Sequence, residues 1–320
     1  MTEEILKLNN LRVYYRVLRG YVKAVDNISL SINRGEAVGL AGESGCGKTT
    51  AMMAVLRLLP HNAHVSGEII FEGKDILNMP LEVFRKEIRW KKISTIFQGA
   101  MNALHPTMTI GEQIAEAIIL HEGVQEKEAY DRAGKLLDLV GIGSSRLDRY
   151  PHELSGGMKQ RAVIAMSLAC NPSLVIADEP TTALDVIIEA QILKVMKELQ
   201  RKLGLTLILV THDLSMIAEI CSKSAIMYAG KIVEFADVVK IFKYPLHPYT
   251  QKLIAAFPSI LGRKTELAAI PGFPPDLLSP PKGCRFHPRC PYAMDICRKE
   301  EPPYTEAENN HFVACHLVTK

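Results

Sequence analysis

No stretch of this 320-residue chain approaches the eighteen or so consecutive apolar residues of a membrane-spanning helix. Charge of one sign is lacking too. The chain has 38 basic residues against 35 acidic ones, a net +3, too little to argue for a nucleic-acid partner. The opening MTEEILKLNN carries acids where a secretory leader carries basic residues, and no apolar segment follows it. The expectation is a chain made and kept in the cytosol. There its seven cysteines remain thiols rather than disulfides. No C-x-x-C pair and no internal repeat occurs. What remains is an ordinary globular composition, 48% hydrophobic and 23% charged, long enough for two or three domains or one large domain with an appendage.

The apolar periodicity predicts strands first. ILKLNNLRVYY and AVDNISLSI alternate apolar and polar residues, and Asn33, Arg34 and Gly35 supply a turn. EAVGLAGESGCGKTTAMMAVLRLL then gives a short apolar strand, a glycine-rich loop and a helix that stops at Pro60. SGEIIFEGKDI reads as a small hairpin, and residues 107 to 170 as mostly helical. Beyond them SLVIAD, LTLILVTHD and SAIMYAGKIVEFA are strands separated by the helical stretches VIIEAQILKVMKELQRKLG and LSMIAEICSKS. Strands alternating with helices predict a parallel α/β sheet. Most of the 18 prolines fall after residue 245, which a helix-and-sheet interior does not tolerate. That shift predicts a boundary near residues 240–245 and an irregular C-terminal module.

Three motifs carry chemistry. Gly42-Glu43-Ser44-Gly45-Cys46-Gly47-Lys48-Thr49 fits G-x-x-x-x-G-K-[ST]. The glycines let successive N–H groups face a phosphate, Lys48 reaches the β/γ oxygens and the Thr49 hydroxyl takes Mg²⁺. An apolar strand then ends in Asp178 and Glu179. Asp178 is placed for the Mg²⁺ shell, and Glu179, turned to another direction, for polarising a water. Finally, Ser155, Gly156 and Gly157 in LSGGMKQR make a second anion-facing turn at a helix start.

LSGGMKQR closely resembles the signature motif of ABC ATPases. The companion motifs follow in order: Gln98 in STIFQGAMNAL, ADEP at 177–180, ALD at 183–185 and His212 in VTHD. The resemblance covers about residues 3 to 240. It implies an α/β fold, a P-loop ABC-type nucleotide-binding domain with a RecA-like core, an antiparallel β subdomain and a helical subdomain over about 100–165. It also implies head-to-tail pairing, in which each ATP lies between one P-loop and the partner's LSGG. The candidate ATP-binding residues are then Gly42, Ser44, Gly45, Cys46, Gly47, Lys48, Thr49 and Thr50, with Ser155, Gly156 and Gly157 acting in trans. Glu179, Gln98 and His212 are the catalytic candidates, and Thr49, Gln98 and Asp178 the Mg²⁺ candidates. Tyr15 is the expected adenine-stacking ring, with Tyr21 as runner-up. Cys46 stands where many relatives have Ser or Asn, and a thiolate at a helix N-terminus would be an alkylation site that ATP protects.

The segment after residue 245 contains HPYTQKLI, PGFPPDL and GCRFHPRCPYAMDIC. It resembles the C-terminal region of the ATPase subunits of dipeptide/oligopeptide and nickel importers. That implies domains at 1–244 and 245–320, the latter small, irregular and cysteine-containing. The implied partners are two integral-membrane permeases, a second ATPase subunit (self or sister), and, indirectly, an extracytoplasmic solute-binding protein. The implied location is the cytoplasmic face of the membrane, and GAMNALHPTM is a candidate permease contact. Nickel or oligosaccharide uptake is an alternative, and a soluble ABC ATPase acting on ribosomes or nucleic acid a more distant one.

Cys284, Cys290, Cys297 and Cys315 leave spacings too long for a usual zinc knuckle, and by chemistry alone zinc and a [4Fe–4S] cluster both stay open. The importer resemblance favours the [4Fe–4S] cluster, as a structural staple. His287, His311 and His316 are read as hydrogen-bonded histidines, and Cys170 and Cys221 as core residues.

Overall fold

The computed structural model describes residues 3–182, 184–256 and 270–318. The chain opens with strands β1 (Glu4–Val17), β2 (Gly20–Asn33) and β3 (Ala37–Ala41), then helix α1 (Lys48–Val55). Strands β4 (Ala63–Phe71) and β5 (Lys74–Asp75), helix α2 (Leu81–Glu87) and strand β6 (Ile93–Ile96) follow. A helical block comes next: α3 (Ile110–Glu122), α4 (Glu126–Leu139) and α5 (Gly156–Ser167). Alternation then resumes with β7 (Leu174–Asp178), α6 (Val186–Leu203), β8 (Thr206–Thr211), α7 (Leu214–Ile220), β9 (Lys223–Tyr228) and β10 (Lys231–Asp237). Helices α8 (Val238–Lys243), α9 (Pro248–Ala255) and α10 (Asp295–Lys299) and the short strands β11 (Thr305–Glu308) and β12 (His311–Val313) complete the described chain.

Two sheets result. One is antiparallel, in the order β2-β1-β4-β5, and the other has eight strands in the order β11-β12-β10-β9-β3-β8-β7-β6. Pairings among β9, β3, β8, β7 and β6 are parallel, as the alternation of strands and helices requires. Strand β12 pairs antiparallel with β10, placing Phe312 opposite Phe235. The last described strands therefore extend the main sheet instead of standing apart from it.

The central strands are buried on both faces, which explains their unbroken apolar runs. Alternate residues feed different cores. Leu207 and Leu209 of β8 join a core with α3 to α7, while Ile208 and Val210 join one with α1 and the antiparallel sheet. Each fully buried Leu or Ile contributes about 1.5–3 kcal/mol of transfer free energy. The parallel register therefore cannot slip by one residue without exchanging two cores.

Local signals set the helix starts. Thr109 and Glu112 form a reciprocal capping box on α3, and the Asp185 carboxylate accepts from the Ile187 and Ile188 amides at the start of α6. Helix α6 ends at Gly204, whose left-handed conformation (φ 60°) closes it. No described helix is long and apolar enough to cross a membrane.

Candidate functional site: a phosphate cradle at the strand ends

Strand β3 and helix α1 are joined by Gly42 to Gly47, at the C-terminal edge of the parallel strands. A cavity of about 690 Å³ opens there, lined by the loop from Gly42 to Thr50 except Cys46, by Gln98, Glu179 and His212, and by Ala24, Leu253 and Ala256. Close approach explains the end glycines. A Cβ on Gly42 (φ 150°) would lie 2.1 Å from the Met227 carbonyl oxygen, and one on Gly47 (φ 106°) 2.2 Å from that of Ala24. Gly47 caps α1 without a side-chain hydrogen bond, so the first amides of that helix are left for a ligand.

Lys48 is buried, and its ammonium turns back on its own loop. Nζ donates to the carbonyls of Gly42 at 2.7 Å and Glu43 at 3.0 Å. An anion entering the cavity competes with those carbonyls for the charge.

The candidate base sits opposite. Glu179 adopts φ 45°, a left-handed backbone that costs a non-glycine residue about 1–3 kcal/mol and tends to occur where function demands a direction. Its carboxylate is held from two sides. Gln98 Nε2 donates to Oε2 at 2.8 Å, and His212 Nδ1 lies 2.8 Å from Oε1. Thr182 donates to the Glu179 carbonyl at 3.0 Å. Next to it, Asp178 is buried at the end of β7. Burial pushes its carboxyl above the usual aspartate range and nearby Glu179 adds to this, while a hydrogen bond with Thr49 and the Lys48 charge pull it back. Asp178 and Thr49 are thus hydrogen-bonded neighbours; Thr49 and Gln98 line the cavity and Asp178 lies behind Thr49, not among the lining residues, an oxygen-rich set that fits the hard ion Mg²⁺.

Tyr15 stands beside α1, its hydroxyl 3.4 Å from Thr50 Oγ1, but it does not line the cavity, whereas Tyr21 packs edge-on against His64. Ser155 caps α5, accepting from the Met158 amide at 3.4 Å. Ser155, Gly156 and Gly157 are not among the residues lining the cavity. Of the ALD stretch, Ala183 lies outside the described residues.

Cys46 needs a correction. It is 4% exposed, and burial pushes its thiol above the ordinary range despite the pull of Lys48. The expected reactive thiolate is therefore a shielded thiol. Cys170 and Cys221 are buried, their thiols pushed up to about 11 and about 12 by burial.

The fold brings the four C-terminal cysteines into one neighbourhood. Cys284, Cys290, Cys297 and Cys315 are electrostatic neighbours, and the Cys284 amide donates to the Cys297 carbonyl at 2.9 Å. Yet among the described residues no three His, Cys, Asp or Glu side chains are gathered closely enough to hold a metal ion. The nearby histidines are engaged elsewhere: His287 Nδ1 with the Cys284 carbonyl, His316 Nε2 with the Glu300 carbonyl, and fully buried His311 with Glu234.

Several residues at the cavity carried no sequence signal for this place. Ala24, Leu253 and Ala256 line it, and Tyr249 and Arg289 both bond to Glu43. HPYT and GCRFHPRC mark the last two as motif residues, but nothing in the sequence says that they reach residue 43.

A glycine cradle at a helix start, a carboxylate pair at a neighbouring strand end, and a glutamine and histidine on the second carboxylate define an ABC-type ATPase cassette. Comparison bears this out. The family profile described as ABC transporter matches residues 25–182, and that described as oligopeptide/dipeptide transporter, C-terminal region, matches residues 233–297. The oligopeptide transport ATP-binding protein OppD of Bacillus subtilis is 44% identical, over 98% of this chain and 89% of that protein. The dipeptide transport ATP-binding protein DppD of Caldanaerobacter subterraneus subsp. tengcongensis is also 44% identical, over 98% and 97% respectively. A solved dimeric cassette, MJ0796 bound to ADP and Pi, superposes with a TM-score of 0.65 at 28% identity, over 73% of this chain and 99% of that one. The chain belongs to the ATP-binding subunits of the oligopeptide/dipeptide ABC transporter family, and is an ATPase of that class.

Proposed function

We propose that this chain hydrolyses ATP in the cradle at Lys48 to power uptake of dipeptides or oligopeptides through two separate integral-membrane permease subunits. The observation that carries the site is the convergence of Lys48, Thr49, Gln98, Glu179 and His212 on one cavity, with Asp178 bonded to Thr49 behind it. The amides of Gly42, Ser44, Gly45, Cys46, Gly47, Lys48, Thr49 and Thr50 form the phosphate cradle, and Lys48 exchanges its two loop carbonyls for phosphate oxygens. Thr49, Asp178 and Gln98 would hold Mg²⁺, which when bound neutralises charge on the phosphates. Glu179, aimed by Gln98 and His212, accepts a proton from the attacking water. His212 is also within reach of the γ-phosphate as a donor. Tyr15 at the edge of α1 is the proposed adenine contact.

Ser155, Gly156 and Gly157 complete the cradle of a second ATPase subunit, self or sister. These residues do not line the cavity of their own chain, and a solved relative is dimeric. The domain division at residue 244, the peripheral position on the cytoplasmic face of the membrane and the indirect service of an extracytoplasmic binding protein belong to the same proposal, which relatives named as oligopeptide and dipeptide transport ATP-binding proteins support. So does a permease contact through the segment after Gln98. Met101 and Met108 are only partly buried there, whereas Ala100 and Leu104 are core. The names of the relatives favour peptides over nickel or oligosaccharides.

A [4Fe–4S] cluster, with zinc as the alternative, also belongs here as a proposal. It is supported by backbone amides that donate to three of the four thiols, from Phe286 to Cys284, from Tyr292 to Cys290, and from Leu317 and Val318 to Cys315. It requires the thiols to close in further than they stand. Anaerobically purified protein should then be brown; colourless protein without iron sinks the cluster. For the ATPase itself, Glu179→Gln in the assembled transporter should retain ATP and cease transport. Undiminished hydrolysis by that variant rejects Glu179 as the base.

A further inference from the structure

HPYT and GCRFHPRC take no part in the phosphate cradle, yet two of their side chains end on it. The Arg289 side chain is 5% exposed and grips Glu43, the second residue of the loop, through two parallel bonds. Nη1 donates to Oε2 at 2.7 Å and Nη2 to Oε1 at 3.0 Å. The guanidinium is itself fixed. Its Nε donates to the Pro271 carbonyl at 2.9 Å, and its carbon lies 5.8 Å from the centre of the Tyr228 ring. Tyr249 takes the same loop residue through the backbone, its hydroxyl accepting from the Glu43 amide at 2.9 Å. Tyr228, Tyr249 and Phe286 pack as three mutual neighbours with ring centres 4.7 to 5.4 Å apart. On the other side of the loop, the Gly230 amide donates to the Cys46 carbonyl at 2.8 Å. Arg285 bonds to the neighbouring Ala229 carbonyl and to Asp26.

Two physical consequences follow. A loop with three glycines has much conformational freedom to lose, and a planar bidentate pair removes it before the ligand arrives. Glu43 also sets a negative charge beside a pocket meant for a polyanion, which an unpaired carboxylate would repel. A guanidinium in register with that carboxylate cancels the charge as well as fixing the loop.

We propose that Arg289 is a positioning residue for ATP. By clamping and neutralising Glu43, it makes the affinity of the P-loop depend on the C-terminal segment between Cys284 and Cys290. The inference rests on the ATP reading of the cavity. Its signature is a split between binding and turnover. In the full-length protein, Arg289→Met should raise the KM for ATP about tenfold, while kcat falls less than about twofold. Arg289→Lys keeps the charge but loses the fork, and should fall between. Glu43→Gln should raise KM only about threefold, because it loosens the clamp but the charge it leaves unpaired is the Arg289 cation, which does not repel a polyanion. Combining Glu43→Gln with Arg289→Met should match Glu43→Gln alone, not the product of the two.

A KM for Arg289→Met within about twofold of the parent, or independent multiplying effects, overturns the proposal. If Arg289→Met does not fold, as judged by its thermal transition, Glu43→Gln decides, and an unchanged KM overturns it. Lys48→Ala separates the two levels. If that variant still binds and hydrolyses ATP, the reading of the cavity itself fails. If it is inactive while Arg289→Met behaves as the parent, only the role of Arg289 falls.

Discussion

Two glycine turns in this chain open helices, and they are treated in opposite ways. The loop from Gly42 to Thr49 is walled by its own chain. The Ala24 and Met227 carbonyls stand where Cβ atoms would be, Tyr249 and Arg289 hold Glu43, and Lys48 is buried beneath. The turn from Leu154 to Gly157 is anchored only at its ends. Leu154 and Gly157 are buried, Ser155 and Gly156 are exposed, and Ser155 caps its own helix. Neither Ser155 nor Gly156 lines the cavity of its own chain. One turn braced internally and the other displayed outward is the contrast that the proposed pairing with a second ATPase subunit, self or sister, requires.

The largest expected effect tests the braced half. Glu179→Gln should lower ATP turnover by on the order of 10²–10⁴-fold, the usual worth of a general base, while ATP binding persists in a nucleotide titration. A variant that loses binding in step with turnover would mean that Glu179 serves the cradle and not the water. Next comes the displayed half. Ser155→Ala should cut hydrolysis in the dimer by about tenfold or more by removing one phosphate donor, yet leave ATP binding to a single chain unchanged. Equal loss in both measurements would place Ser155 in its own chain's site and dissolve the comparison.

The smallest effect concerns Cys46, inside the braced loop. Its folded-state thiol titrates above the ordinary cysteine value because of burial. The reactive thiolate is therefore scarce at neutral pH and becomes available only as the pH rises further into the alkaline range. Alkylation of the folded protein at pH 7 should be slow and differ by less than about twofold with and without ATP. Rapid labelling that ATP blocks would show an open loop, contrary to the packing of Gly42 and Gly47.

The strand–helix alternation, the strand ends that carry Asp178 and Glu179, and the glycine cradle were all legible in the residues, because each is a local pattern with a local cause. The strand order was not. Strand β3 lies between β9 and β8, and β7 separates β8 from β6, an arrangement that depends on which faces find each other after collapse. Gln98 and His212 were legible as motif positions through family resemblance, but their two bonds to one carboxylate were not. The packing of Cys46 could not be read either, since a helix N-terminus suggests reactivity and only burial cancels it. The four cysteines were legible as a group, and the fold does make them neighbours, but how closely they approach one another was not legible.

By itself, then, the sequence determined an ATPase of the ABC kind and the candidate residues for its phosphate site. Spacing along one loop or one helix start is a property of the chain. Tertiary structure decided what supports those residues. Glu43 and Arg289 are 246 positions apart, and no periodicity or motif spacing spans such a gap. The pairing of β12 with β10, the packing of Tyr228, Tyr249 and Phe286, and the Arg285 bonds to Ala229 and Asp26 bring the C-terminal segment against the loop that carries Glu43. Contacts of that kind arise from burying apolar surface from distant parts of the chain together, and that burial is a property of the folded whole.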